Sequence, residues 1–226
     1  MKIIKSLLTA FAIAFTNQVS GQQTDKIETD WQSSIVLLDI TRNNHNFRIP
    51  WDKRAQSVSK FGVVIKDKEL ITTATGLANH TLIRIQKGGR GKWTNGKVNW
   101  IDYQANLAVL GVESDDFWKD LKPVKFAESK KLKKNLQVIR WRGGNIEKRA
   151  AEFSRFTVAD ANFNQAPRIE LKASSEIEGA GQAELMVSGD KVVGLVASKI
   201  SGTCSVIPTP FITDVIRLRE SNNYNG

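Results

Sequence analysis

The residue types that most often carry out chemistry are sparse in this chain. It has two histidines, His45 and His80, and a single cysteine, Cys204. No pair among them has the spacing of metal ligands, so neither a structural zinc site nor any other cofactor is expected. Cys204 lies in the apolar run TCSVIP, which predicts a small buried core residue rather than a reactive thiol.

One run of small residues indicates a special backbone conformation. In EGAGQAEL (178–185), small residues surround Gln182 just before an apolar segment. Two glycines two positions apart, Gly179 and Gly181, indicate a sharp turn or a close approach of the backbone to another group.

Three stretches in a fixed order carry a family resemblance. They are FGVVIKDKELITTATGLAN (61–79), WIDYQANLAVLGVES (100–114) and EGAGQAELMVSGDKVVGLVAS (178–198), with CSVIPTPFITDVI (204–216) following the last. Together they resemble the trypsin-like serine proteases, and within them the bacterial HtrA-type branch. The resemblance covers roughly residues 33–220 and depends on order and spacing, since no single motif is intact. It implies an all-β fold of two Greek-key β-barrels plus a C-terminal α-helix.

The resemblance assigns the three positions of a catalytic triad to residues that differ from the family pattern. Gly181 takes the place of the nucleophilic serine, Thr75 that of the general-base histidine and Asn106 that of the aspartate. Glycine has no side chain to attack a carbonyl, and a threonine hydroxyl is not basic at neutral pH. Asparagine can orient a neighbour but cannot stabilise an imidazolium by charge. The triad-equivalent positions are therefore degenerate, and no catalytic residue is expected among them.

Neighbouring residues are not expected to replace the triad. Ser174 and Ser175 precede Gly181 by too many residues to lie at the turn, and His80 lies beyond the turn that contains Thr75. His45 lies in the polar segment NNHNF. Acyl transfer needs its nucleophile and base within hydrogen-bond reach, so solvated or internally bonded side chains are the expectation for all four.

Without a catalytic triad, only backbone groups of a protease-like site are expected to remain. The resemblance implies that the amides of Gly179 and Gly181 form a remnant oxyanion turn, with Glu184 opposing a bound anion if it points inward. It also implies that the strand Ala197, Ser198, Lys199 and Ile200 pairs with an extended peptide. Strand addition works through main-chain hydrogen bonds and needs no triad.

The elements that would position these residues are short strands. Apolar, often β-branched runs recur at spacings of about ten residues, separated by turn residues such as Gly189-Asp190, which is typical of a sandwich or barrel. One helix is predicted at the end, with Thr209 as its cap and Pro210 in its first turn. The predicted divisions are a signal peptide (1–21), a flexible lead-in (22–32), an N-terminal barrel (33–116), a connection (117–135), a C-terminal barrel (136–207), a helix (208–220) and a tail (221–226).

The first residues differ in composition from the rest of the chain. Lys2 and Lys5 precede the apolar stretch LLTAFAIAF, and Val19-Ser20-Gly21 offers a small-residue cleavage site. This pattern predicts a secretory signal peptide, and hence a periplasmic or secreted protein. The apolar stretch is too short for a bilayer, which needs about 20 residues, so no transmembrane segment is expected in the mature chain.

Charge sets the remaining expectations about partners. The chain carries a formal charge of +10, with basic clusters at 86–92, 130–134 and 140–149. Such clusters favour either exposed, solvated lysines or a weak contact with a polyanion. No nucleic acid is expected, because a basic patch alone is only an electrostatic footprint.

Taken together, the sequence predicts an exported protein without peptidase activity that binds a peptide or another protein, or serves as a scaffold. Two alternatives stay open. One is a serine-type endopeptidase with a rearranged site, and the other is a polyanion-binding surface protein.

Overall fold

The computed structural model describes residues 30–45, 48–49, 51, 53–66, 68–128, 135–158, 167–171, 181–200 and 203–221. After a 3-10 helix at Trp31–Ser33, the chain forms an antiparallel sheet in the order β5-β4-β1-β2-β3-β7-β6. Its strands are β1 (Ile35–His45), β2 (Lys53–Lys66), β3 (Glu69–Thr72), β4 (His80–Lys87), β5 (Trp93–Asn95), β6 (Lys97–Asp102) and β7 (Leu107–Gly111).

A short helix, α1 (Asp115–Trp118), leads towards a second antiparallel sheet in the order β10-β11-β14-β13-β12-β8-β9. Its strands are β8 (Leu136–Arg142), β9 (Asn145–Ala151), β10 (Phe153–Val158), β11 (Pro167–Leu171), β12 (Leu185–Ser188), β13 (Lys191–Ile200) and β14 (Thr203–Pro208). Gly189-Asp190 forms the tight turn between β12 and β13, as the sequence predicts.

The two sheets have the same topology. β5 and β6 are separated only by Gly96, and β9 and β10 only by Glu152, so each sheet starts and ends in adjoining parts of one bent strand. Counted in this way, both barrels place six strands in the order first, second, third, sixth, fifth, fourth. This is a Greek-key arrangement repeated twice, and it confirms the predicted fold class.

Alternation along the strands divides the apolar side chains between three clusters. In β1, Val36 and Leu38 pack inside the first barrel, whereas Ile35 faces the seam between the barrels. This follows from the two-residue period of a strand. A third cluster fills the second barrel and includes Val138 and the buried Cys204, as predicted for that cysteine.

The helix α2 (Thr209–Glu220) closes the structure by packing Ile212 and Val215 into the seam. Its N-cap is Pro208, and the predicted role of Thr209 as the cap is wrong. Thr209 is already the first helical residue, and its buried hydroxyl donates to the Val192 carbonyl at 3.0 Å. Among the described residues, no helix is long and apolar enough to cross a membrane.

Candidate functional site

Two of the three residues that the sequence aligned with a catalytic triad are in direct contact. Thr75 lies in the turn after β3, and Asn106 immediately precedes β7, which pairs with β3. Asn106 Oδ1 accepts hydrogen bonds from the Thr75 amide at 2.9 Å and from the Thr75 hydroxyl at 2.8 Å. Asn106 has a φ of +57°, a left-handed conformation that asparagine tolerates well. The exposed Thr75 hydroxyl is thereby held in one orientation.

The third position, Gly181, lies in the second barrel and has no room for a side chain. Its φ is +106°, and a Cβ atom there would lie 3.0 Å from Ser198 Cα and 3.2 Å from Lys199 N. The neighbour is backbone, which cannot move aside as the end of a flexible side chain would. Glycine at this position is thus required by the close packing of the turn against β13.

The amides of this turn already bind a carboxylate from the protein itself. Glu184 Oε2 accepts from the amide of Gly181 at 3.0 Å and from that of Gln182 at 2.9 Å. Glu184 is completely buried, and its Oε1 lies 3.9 Å from Arg140 Nη1. Burial raises the pKa of the Glu184 carboxyl, while the two amides and Arg140 act against that rise. Glu184 therefore points inward, a direction that the sequence left open, and occupies the amides of the turn.

A buried amine lies on the first-barrel side of the seam. Lys60 is 1% exposed, and its Nζ donates to Thr73 O at 2.6 Å, to Thr73 Oγ1 at 2.5 Å and to Thr75 O at 2.5 Å. Burial lowers the pKa of Lys60 to about 7, and the negative charge of Glu184 partly opposes this shift. Burial thus favours the uncharged amine, whereas the three donated hydrogen bonds use all three protons of an ammonium and favour the charged form.

Lys60 and its neighbour connect the two halves of the site. The Phe61 amide donates to the Gln182 carbonyl at 2.8 Å, so β2 of the first barrel touches the glycine turn of the second. Lys60 binds the segment that contains Thr75, and its pKa responds to Glu184 beside Gly181. The Thr75–Asn106 pair and the Gly181 turn thus face each other across one seam.

The predicted peptide-pairing strand has one side available. Ser198, Lys199 and Ile200 pair with β14, whereas β12 pairs with β13 only up to Leu195. Within the described residues, no strand pairs with the second edge of β13 beyond Val196. Ala197 is buried, and Ser198 and Lys199 are half-buried. Gly181 packs on Ser198, which brings this edge next to the glycine turn.

The other residues considered from the sequence are not brought into the site or lie outside the described residues. His80 begins β4, and its Nδ1 contacts the Leu77 carbonyl at 2.8 Å. His45 pairs with Lys53 at the far end of β1. Gly179, Ser174 and Ser175 lie outside the described residues. In the described part of the chain, no cluster of three or more histidine, cysteine or acidic residues has the arrangement of a metal site.

Comparison with curated proteins finds relatives over most of the chain, although no protein-family model matches it. The protein named "Putative protease Do-like 13" of Arabidopsis thaliana is 27% identical over 201 residues, which is 86% of this chain and 41% of the relative. "Protease Do-like 4, mitochondrial" of the same plant is 23% identical over 200 residues, or 86% of this chain and 39% of the relative. The chain spans less than half the length of these relatives.

Comparison with solved structures finds the same fold. The active form of the Rv3671c protease from M. tuberculosis aligns with a TM-score of 0.65 at 15% identity, covering 94% of this chain and 93% of that one. This chain is related to the trypsin-like, HtrA-type proteases. The HtrA-type protease AlgW, solved with a decapeptide, aligns with a TM-score of 0.64 at 15% identity, covering 83% of this chain and 64% of AlgW.

These relatives overturn one expectation from the sequence. The expectation that the chain is not an enzyme is contradicted, because the curated relatives and the aligned structures are named as proteases. That expectation rested on the side chains of Thr75, Asn106 and Gly181 and did not consider Lys60. A signal for it was present: Lys60 shares a strand face with Gly62 and Val64, both buried, so a lysine at that position in β2 points inward.

Proposed function

We propose that this HtrA-type chain is an endopeptidase with a rearranged site at the seam between its barrels, where Lys60 serves as the base. The observation that carries the proposal is the Lys60 amine, buried beside Thr75 with a pKa of about 7. A group with a pKa close to the working pH is well suited to general-base catalysis. Lysine serves as a base of this kind when burial keeps part of it neutral.

The exposed hydroxyl of Thr75 is the proposed nucleophile. Asn106 orients this hydroxyl but cannot accept its proton, because an amide oxygen is not basic. Lys60 binds the carbonyl of the same residue rather than its hydroxyl, so as the proposed base it takes the hydroxyl proton through a bridging water. In the proposed reaction Thr75 Oγ1 attacks the peptide carbonyl carbon, and Lys60 takes the hydroxyl proton and passes it to the departing amine. Water then hydrolyses the resulting ester and regenerates the threonine.

An extended polypeptide is the proposed substrate. Its backbone would pair with the free edge of β13 at Ala197–Ile200, which leads to the glycine turn. The aligned AlgW structure is described as holding a decapeptide, which agrees with a peptide-binding fold. Main-chain pairing supplies affinity with little dependence on side-chain sequence.

Slow turnover follows from the Glu184 contact. The amides of Gly181 and Gln182 are held by Glu184 Oε2, so they are not free to stabilise an oxyanion. Loss of one oxyanion donor costs about 10²–10³ in turnover in a well-studied protease. We therefore expect rates at least that far below those of an efficient protease.

Cleavage of an unstructured protein such as casein, followed by mass spectrometry of the fragments, tests this proposal. Lys60→Met should abolish cleavage, since it keeps an apolar side chain of similar length but removes the base. Thr75→Ala should do the same, whereas Thr81→Ala, at another exposed threonine in β4, should leave cleavage unchanged. Folded wild-type protein that leaves casein intact at every pH between 6 and 9 would contradict the proposal.

We further propose that the protein acts outside the cytoplasm. Lys2, Lys5 and the apolar stretch that follows support this location. Fusion of residues 1–21 to a reporter that is active only after export tests it. Reporter activity that persists after Leu7 and Leu8 are replaced by aspartate would contradict it.

A further inference from the structure

A concave surface lies on the first barrel, on residues other than Lys60, Thr75 and Gly181. It is a groove of about 810 Å³ between the β4–β5 hairpin and the segment from Gly111 to Phe117. We call it the basic groove, because four cationic residues line it against two carboxylates. The charged residues that line it are Lys87, Arg90, Lys92, Lys97, Glu113 and Asp116.

The two carboxylates are already paired, and three of the cations are not. Glu113 binds Lys97 at 3.1 Å, and Asp116 binds Lys119 at 2.8 Å. Within the described part of the chain, no carboxylate oxygen lies within 4.0 Å of Lys87, Arg90 or Lys92. With four cations and two carboxylates in its lining the groove carries net positive charge, although Asp116 also attracts Lys87 and Lys92 over a longer distance.

Two of the three unpaired cations are nevertheless held in place. Lys87 Nζ donates to the Lys119 carbonyl at 3.0 Å, and Arg90 Nη2 donates to Asn145 Oδ1 at 3.3 Å. Beside Arg90, the backbone of Gly89 packs against the ring of Trp141. A positioned cation loses less side-chain entropy when it binds an anion than a free surface lysine does.

These contacts also join two basic segments that are far apart in the sequence. Arg90 belongs to the cluster at 86–92, and its partner Asn145 lies in the cluster at 140–149. In the second cluster Glu147 binds Arg140, Arg142 and Arg149, and the buried Arg140 also lies near Glu184. Positive charge thus continues from the groove across the seam onto the β8–β9 hairpin.

We infer that the basic groove binds a linear polyanion through its phosphate, sulfate or carboxylate groups. A flexible chain can enter a concave groove, whereas a flat bilayer surface meets only its rim. Several anionic groups along one chain match cations spread over the groove and the adjoining hairpin. Neither Lys60, Thr75 nor Gly181 lines this groove, so polyanion binding does not depend on peptidase activity.

Binding of fluorescently labelled inorganic polyphosphate, measured by anisotropy at low salt, tests the inference. The double variant Arg90→Gln/Lys92→Gln should raise the Kd roughly ten-fold or more. The control Lys122→Gln/Lys191→Gln removes the same net charge from exposed lysines elsewhere and should change the Kd less than about three-fold. Glu113→Gln should tighten binding, because it releases Lys97 from its carboxylate partner.

Salt dependence and competing ligands give further tests of polyanion binding by the basic groove. The affinity constant falls with salt, and each phosphate contact contributes about 0.7 to the steepness of log K against log salt. The groove variant should therefore show a slope that is shallower by about 1.4, and the control a much smaller change. Heparin and polyglutamate, tested in parallel, show whether phosphate, sulfate or carboxylate is preferred. Equal weakening by the two double variants would overturn the inference. So would binding to anionic vesicles that is much tighter than binding to polyphosphate.

Discussion

At the scale of single residues, the site is governed by two buried ionisable groups that face each other across the seam. Lys60 holds the Thr75 segment, and Glu184 holds the Gly181 turn. Burial disfavours the charged form of both, lowering the pKa of the lysine and raising that of the glutamate. Each therefore affects stability as well as chemistry.

The Lys60 pKa predicts a pH dependence of stability. Its ordinary value is 10.5 and its value in the folded protein is about 7. Between these values the unfolded chain binds more protons than the folded one, so the free energy of unfolding should rise with pH, by up to about 1.4 kcal/mol per unit. Denaturant titrations from pH 7 to 10 measure this, with Lys60→Met as reference. A rise of equal size in Lys60→Met would show that other groups cause it.

The sequence was least informative about which side chains occupy the site and how they are oriented. The positions of Thr75, Asn106 and Gly181 were identified through order and spacing, and the structure brings Thr75 and Asn106 into contact. Lys60 was missed because a lysine is normally exposed. The capture of the Gly181 and Gln182 amides by Glu184 depends on a side-chain direction that spacing does not specify.

At the scale of elements, the strands with strong apolar alternation were predictable and the exposed ones were not. β7 and β12 are largely or wholly buried, and their apolar runs predicted them. β9 and β10 carry mostly polar or exposed side chains, so tertiary pairing rather than local pattern decides their structure. The outer half of β2, from Arg54 to Ser59, is mainly exposed and was missed for the same reason.

The glycine turn gives a prediction at this scale. Gly181→Ala should destabilise the protein by about 2–4 kcal/mol, since a positive φ and a backbone clash both oppose the new Cβ. Gly189→Ala is the matched control, because Gly189 has a φ of +66° but nothing within 4 Å of a Cβ, and it should cost only about 1–2 kcal/mol. Urea denaturation compares the two. Equal losses would mean that the turn does not pack against β13.

The packing of α2 into the seam gives a second prediction about an element. Ile212 is completely buried in the seam, so Ile212→Ala should cost about 2–5 kcal/mol. Leu218 lies on the same helix but is 40% exposed, and Leu218→Ala should cost under about 1 kcal/mol. Thermal unfolding monitored by circular dichroism measures both. A small loss for Ile212→Ala would indicate that α2 is not part of the folded core.

At the scale of the whole molecule, the two barrels share an apolar cluster in the seam besides the cluster inside each barrel. The seam cluster joins Ile35 and Val63 of the first barrel to Ile139 and Leu195 of the second, and α2 packs onto it. Trp141 Nε1 donates to the Ile35 carbonyl at 3.0 Å in a buried contact across the seam. The repeated strand order shows two similar units that are completed by packing on each other.

A shared core predicts that the barrels unfold together. Tryptophan fluorescence and far-ultraviolet circular dichroism should give coincident denaturation curves. Trp141→Phe should shift both curves by the same amount, about 1–3 kcal/mol, because it leaves the buried Ile35 carbonyl without its donor. Two separate transitions, with only one moved by this variant, would contradict a common core.

The central claim is that Lys60 activates Thr75 in the seam, and covalent labelling tests it most directly. The purified protein is incubated with a fluorophosphonate probe at a series of pH values, and the labelled residue is located by mass spectrometry. The account predicts labelling of Thr75 that rises with pH through a midpoint near the Lys60 pKa of about 7 and disappears in Lys60→Met. In Glu184→Gln the midpoint should move to lower pH, because the charge that raises the Lys60 pKa is lost. Absence of labelling, or labelling of Thr75 that is unchanged in Lys60→Met, would contradict the account.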